Sequence, residues 1–140
     1  AGMEALTQAG RDLLLSLESK ITEVFRSVID NRVAASLDES TIREAVITVV
    51  KGWATETAGT MDLLLGDELA TKLESALKTD LAEQFAAGME IKPVRGVAAG
   101  FRIGTKDGAA YYDFTAAAIA EALSAFLGPK LQTALKAAVE

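Results

Sequence analysis

The sequence contains no cysteine and no histidine. That double absence removes thiol nucleophiles, disulfides, imidazole acid–base catalysis and most transition-metal sites in one step. It also fits a reducing cytoplasm. Prolines number two, and aromatic residues make up 6% of the chain. No run of apolar residues is long enough to cross a bilayer. No basic segment precedes an apolar stretch at the start, so no secretory signal is expected. Positive charge is in deficit: 14 Lys and Arg stand against 20 Asp and Glu, a net charge of −6. Lys and Arg do not cluster, which argues against nucleic acid or anionic lipid as a partner.

What is present is a chain of 140 residues, half of them hydrophobic. That length suits one domain with a real core and a short appendage. Much of the hydrophobic fraction is alanine, which favours helices. Residues 4–37 read as one long amphipathic helix with apolar positions at Leu6, Ala9, Leu13, Leu17, Ile21, Val24 and Val28. The seam covers about 3.67 residues per step, closer to an eleven-residue repeat than to a heptad. Leu14, Leu15, Phe25 and Ile29 widen the stripe and require a second wall. The first half of the seam suits a coiled coil, whereas Phe25, Ile29, Val33 and Leu37 suit packing on the chain's own body.

After a break at residues 36–40, Thr41 and Glu44 fit a capping box. A second helix follows with Ile42, Ala45, Val46, Val49, Val50 and Trp53 on one face. Residues 60–65 read as a strand, and Asp67 is positioned to cap the next helix, which carries Leu69, Leu73, Ala76, Leu77 and Leu81 and stops at Gly88. Strands are expected over 89–94, 98–104 and 109–114. Pro93 requires the first to be an edge or to end early, and the Asp107-Gly108 pair predicts a hairpin between the other two. Thr115 can cap a helix whose stripe is Ile119, Leu123 and Phe126. Gly128-Pro129 then predicts a stop and a new helix start. The order implies an α+β fold: a long N-terminal amphipathic helix, then a small, mainly antiparallel four-stranded sheet packed with helices.

The run from Lys92 through Pro93, Val94, Arg95, Gly96, Val97, Ala98, Ala99, Gly100, Phe101 and Arg102 to Ile103 resembles the E subunit of V/A-type rotary ATPases. So do the Asp107-Gly108 turn, the Tyr111-Tyr112-Asp113-Phe114-Thr115 strand and the Ala-rich helix ending in Leu127-Gly128-Pro129-Lys130-Leu131. The helix over 13–35 and Trp53-Ala54 look like that family's junction of stalk and head. The resemblance covers nearly the whole chain. It implies a non-catalytic stator: residues 1–37 end a stalk helix that pairs with a G/H-type subunit, and residues 38–140 form a head against the B subunit of the catalytic head-piece. Such a peripheral stalk, with its other stator subunits, links the head-piece to the membrane sector and resists rotor torque. It is cytoplasmic and peripheral, without direct membrane insertion, cofactor or metal. The seam Leu6 to Val28 is the expected partner-binding surface, and Arg95, Arg102 and Tyr111 are candidates on the head.

Plainer readings stand beside these. Gly96, Gly100 and Gly104 could form a phosphate cradle, but no Gly-Lys-Ser/Thr follows, and turns and strand ends explain them better. Asp38-Glu39 and Asp67-Glu68 open helices, where negative charge meets the positive dipole end. Asp113 could be a buried carboxylate, but no histidine or second acid accompanies it in sequence. Of Tyr111 and Tyr112, which alternate across a strand, one is expected in the core and the other at a surface. For Arg95 and Arg102, solvated strand charges are favoured over a partner contact. An alternative function is a small cytoplasmic adaptor that homodimerises through the Leu6–Val28 seam, and a small hydrolase would need converging acids in a deep pocket.

Overall fold

The computed structural model describes residues 2–97 and 99–139. Ala98, the expected start of the third strand, lies outside the described residues. In chain order the elements are α1 (Gly2–Ser36), α2 (Glu39–Lys51), α3 (Thr55–Gly59), β1 (Met61–Leu65), α4 (Asp67–Asp80), α5 (Ala82–Ala86), β2 (Glu90–Pro93), β3 (Gly100–Thr105), β4 (Tyr111–Thr115) and α6 (Ala116–Val139). The chain divides into two compact units. One is Val33–Ile119; the other comprises Ala1–Arg32 with Ala120–Glu140.

The α+β class holds, with a four-stranded sheet ordered β2-β1-β3-β4. The sheet is mixed: β1 pairs with β2 in parallel, and β1–β3 and β3–β4 are antiparallel. A parallel neighbour needs a crossover, and the α4–α5 segment between β1 and β2 supplies it. β2 takes an edge, where Pro93 costs no ladder bond. Gly108 adopts φ +76°, the left-handed turn that the Asp-Gly pair allows.

Alternation along the strands sends Met61, Leu63, Leu65, Phe101 and Ile103 to one face, where they join Ile42, Val46 and Val50 of α2 and Leu73 and Leu77 of α4 in the core. Phe101 and Phe114 stack at 5.0 Å. Each fully buried leucine here contributes about 1.5–3 kcal/mol. Trp53 is half-buried and packs on this core, as does Leu37.

Four local expectations are corrected. Asp38, not Thr41, caps α2: its carboxylate accepts the Thr41 N–H at 2.8 Å, so the helix restarts after a break of two residues. That bond also holds the Asp38 carboxyl below its ordinary value. Gly66 occupies the N-cap of α4, leaving Asp67 in the first turn, where its charge still favours the helix dipole. The region between Trp53 and β1 holds the short α3, and α5 follows a break at Leu81. Finally, α6 runs through Gly128-Pro129 without a stop. Its less exposed stripe is Ala120, Ser124, Leu127, Leu131 and Leu135, which keeps one helical phase across the proline, while Leu123 and Phe126 are exposed. A single stripe on both sides of Pro129 favours continuation despite the one lost hydrogen bond.

Candidate functional site

Two surfaces, one in each unit, carry the residues expected to bind partners, Arg95 excepted. The first is α1, whose 35 residues extend about 50 Å at 1.5 Å per residue. Leu6, Leu13, Leu17, Ile21, Val24 and Val28 are all exposed, at 69%, 61% and 64% for Leu6, Leu13 and Val24. Ala9 is exposed with them. The seam is thus a continuous apolar strip on one side of the helix. Ile29 and Val33, on another side, are buried.

Within the same unit α6 runs antiparallel to α1. Near one end Arg26 donates to Asp30 on its own helix and to Glu121 of α6, at 3.0 and 3.1 Å. Further along, Leu14, Leu17 and Ile21 of α1 and Leu135 and Ala138 of α6 line an open apolar groove of about 400 Å³. Ile21 and Leu17 therefore border both the outer strip and this groove, while Leu6, Leu13, Val24 and Val28 belong to the strip alone. The groove depends on Leu135 and Ala138. The unbroken α6 brings them there.

The second surface is the sheet face opposite the core. Asp62, only 2% exposed, lies there between Lys106 at 2.6 Å and Lys92 at 3.1 Å. Burial pushes its carboxyl up, but the two ammonium groups outweigh burial and hold it below the ordinary value. Sequence reasoning missed this cluster. Its signal was Asp62 at the outward position of an otherwise apolar strand, although the two lysines are distant in sequence. Beside it Arg102 lies 3.5 Å from Asp113 and 4.9 Å from the centre of the Tyr111 ring. Burial likewise raises the Asp113 carboxyl, and hydrogen bonds from Thr115 with the Arg102 charge bring it below its ordinary value.

Arg102 and Tyr111 are thus brought together. Arg95 is exposed in the turn after β2 and joins neither surface cluster. The expectation that one tyrosine enters the core fails: Tyr111 and Tyr112 are each 56% exposed. They sit on an edge strand, where the core side of Tyr112 is only partly covered by Trp53, at 5.5 Å. Asp113 is half-buried and engaged in an ion pair. Gly96 and Gly100 have φ of +87° and +88° and belong to the turn and the start of β3, and no helix follows them directly. Among the described residues, no three His, Cys, Asp or Glu side chains converge as a metal site.

The chain is 37% identical over 137 residues to the E subunit of a V-type ATP synthase from Treponema denticola, covering 97% of this chain and 67% of the relative. The chain belongs to the E-subunit family of V-type ATPases. The E subunit of a V-type proton ATPase from Borrelia duttonii is 36% identical over 134 residues, with 96% and 67% covered. The corresponding V-type ATP synthase chain of Treponema pallidum (strain Nichols) is 33% identical over 135 residues, with 96% and 58% covered. The chain spans about two thirds of the length of the first two of these relatives. No family model and no solved structure matches it. As an E subunit it is a component of a V-type ATPase, and the other subunits of that machine are its partners. None of its described helices is long and apolar enough to cross a membrane.

Proposed function

We propose that this E subunit is a non-catalytic stator of a proton- or sodium-translocating V-type machine, peripheral to the membrane. Residues 1–37 form the end of a stalk helix, and residues 38–140 a head. The helix docks through Leu6, Ala9, Leu13, Leu17, Ile21, Val24 and Val28 onto a helix of a small G/H-type subunit. The head, with Arg95, Arg102 and Tyr111 as its contact residues, anchors on the B subunit of the catalytic head-piece. The pair links that head-piece to the membrane sector and resists rotor torque.

The exposed strip on α1 carries this reading. Leu6, Leu13 and Val24 expose more than half of their surface, although the core of Val33–Ile119 is filled without them. A row of this kind, repeating with helical period, marks a surface that a second apolar helix covers. A stator needs durable docking and no reacting groups, which suits a chain without histidine or cysteine.

Replacing Leu13 and Leu17 by Asp tests it directly. Co-expressed with the other stator subunits, the wild-type chain is expected to co-purify with a small helical subunit. The double variant is expected to lose that subunit while keeping its circular dichroism and melting transition. A wild-type self-dimer that ignores the other subunits would instead support a homodimerising adaptor.

A further inference from the structure

The two edges of the sheet differ in what they offer to another chain. At the β2 edge, the Val94 N–H donates to the Leu65 carbonyl at 2.8 Å, so residues 90, 92 and 94 turn their backbone groups toward β1. Ile91 and Pro93 face outward, and Pro93 has no N–H to give. That edge is closed by composition. At the other edge, the Thr105 N–H donates to the Ala110 carbonyl and the Ala116 N–H to the Ala99 carbonyl, at 2.9 and 3.1 Å. With Ile103 opposite Tyr112 and Phe101 opposite Phe114, residues 110, 112, 114 and 116 bond inward to β3.

Tyr111, Asp113 and Thr115 therefore turn their N–H and C=O groups away from the sheet. The Asp113 carboxylate accepts the Thr115 N–H at 2.9 Å and so ends the available stretch. Tyr111 and Asp113 are left with two donors and two acceptors in register, on a strand with no second neighbour in the sheet. The strand also carries exposed tyrosines on both of its faces. Unpaired strand edges of this kind are templates for another backbone.

We propose that β4 is completed in the assembled machine by an extended segment of another subunit, which adds as a fifth strand along Tyr111–Asp113. The neighbouring side chains specify its chemistry. On the outer face, Lys92, Leu64, Arg102 and Asp113 lie in one cross-strand row, with Arg102 beside Asp113. The added strand extends this row with a basic residue opposite Asp113, since opposite charges across a strand pair are favourable. On the other face, Tyr112 leans on Trp53 and keeps more than half its surface free, so the residue opposite it is aromatic or β-branched. This inference rests on the reading of residues 38–140 as the head that anchors on another subunit.

Residue-resolved hydrogen exchange on the chain, free and within its assembled V-type complex, tests the proposal. The Tyr111 and Asp113 amides are expected to exchange at least about tenfold more slowly in the complex, as hydrogen-bonded strand amides do. Tyr111→Pro removes the outward N–H without touching the ladder to β3, and is expected to weaken association about tenfold, the effect of one lost bond with its partner stranded. Tyr111→Ala removes the same side chain but keeps the backbone donor, so its strand protection should persist and it should associate more tightly than Tyr111→Pro. Asp113→Asn keeps an oxygen for the Thr115 N–H, removes the charge and should weaken association with a smaller salt dependence. Unchanged exchange at Tyr111 and Asp113 in a complex that does form would overturn the added strand and leave the stator reading intact. So would full retention of a folded Tyr111→Pro chain. Asp113→Asn binding with wild-type strength and salt dependence would overturn the basic residue. A chain that enters no complex would count against the stator reading itself.

Discussion

The two units spend their apolar residues differently. In Val33–Ile119, Leu63, Leu65, Leu77, Leu81 and Ile103 are fully buried, and its large exposed hydrophobics are the two tyrosines of the edge strand. In the other unit Leu6, Leu13, Leu15, Val24 and Phe126 all face outward. Both are patterned at helical or strand period, so the pattern alone does not distinguish a residue that closes a core from one that awaits another chain. The difference lies in what covers the stripe. Two helices of one unit meet at a groove, whereas a sheet covered by α2 and α4 makes a closed layer. The first arrangement suits docking and the second suits a self-sufficient fold.

Substitutions sharpen that contrast. Leu77→Ala should cost about 2–5 kcal/mol in chemical denaturation, because the site is sealed and leaves a cavity. If it cost as little as an exposed leucine, the closed-core description would break. Gly100→Ala should follow at about 2 kcal/mol: its φ is +88°, and an added Cβ would run into the Phe114 carbonyl. Asp62→Asn should cost about 1–3 kcal/mol by stranding the two ammonium groups on a neutral amide.

The same carboxylate sets an acid limit. Asp62 and Asp113 are held below their ordinary values in the fold, so their contribution is complete above about pH 4 and is lost as pH falls through the depressed native values. Denaturation curves between pH 5 and about pH 2 should therefore flatten in Asp62→Asn, and an unchanged slope would assign the acid loss elsewhere. The smallest effect is expected at Leu13→Ala, within about 0.5 kcal/mol for the isolated chain, because the side chain is already in water. A loss of several kcal/mol there would mean that the strip is part of the chain's own core.

The element types were largely legible because each rests on a local rule. The strand β1, the Pro93 edge, the Asp107-Gly108 turn and the Thr115 cap, which accepts the Ala118 N–H at 3.3 Å, follow from period, missing donors and short-range bonds. The misreadings have equally local causes. Thr41 and Asp38 compete for one helix start, and the carboxylate wins. Pro129 reads as a stop until the stripe is followed across it.

By itself the sequence excluded thiol and imidazole chemistry, since the chain has neither cysteine nor histidine, and it determined the apolar seam of α1, since helical period is written residue by residue. It also carried family membership, because that depends on identity along the chain. Only the tertiary structure decided that β1 and β2 run parallel, that Lys92 and Lys106 close on Asp62, and that β4 is left with an open edge. Those facts join residues far apart in the chain. Strand order and register, which no local propensity encodes, are settled by which faces bury together.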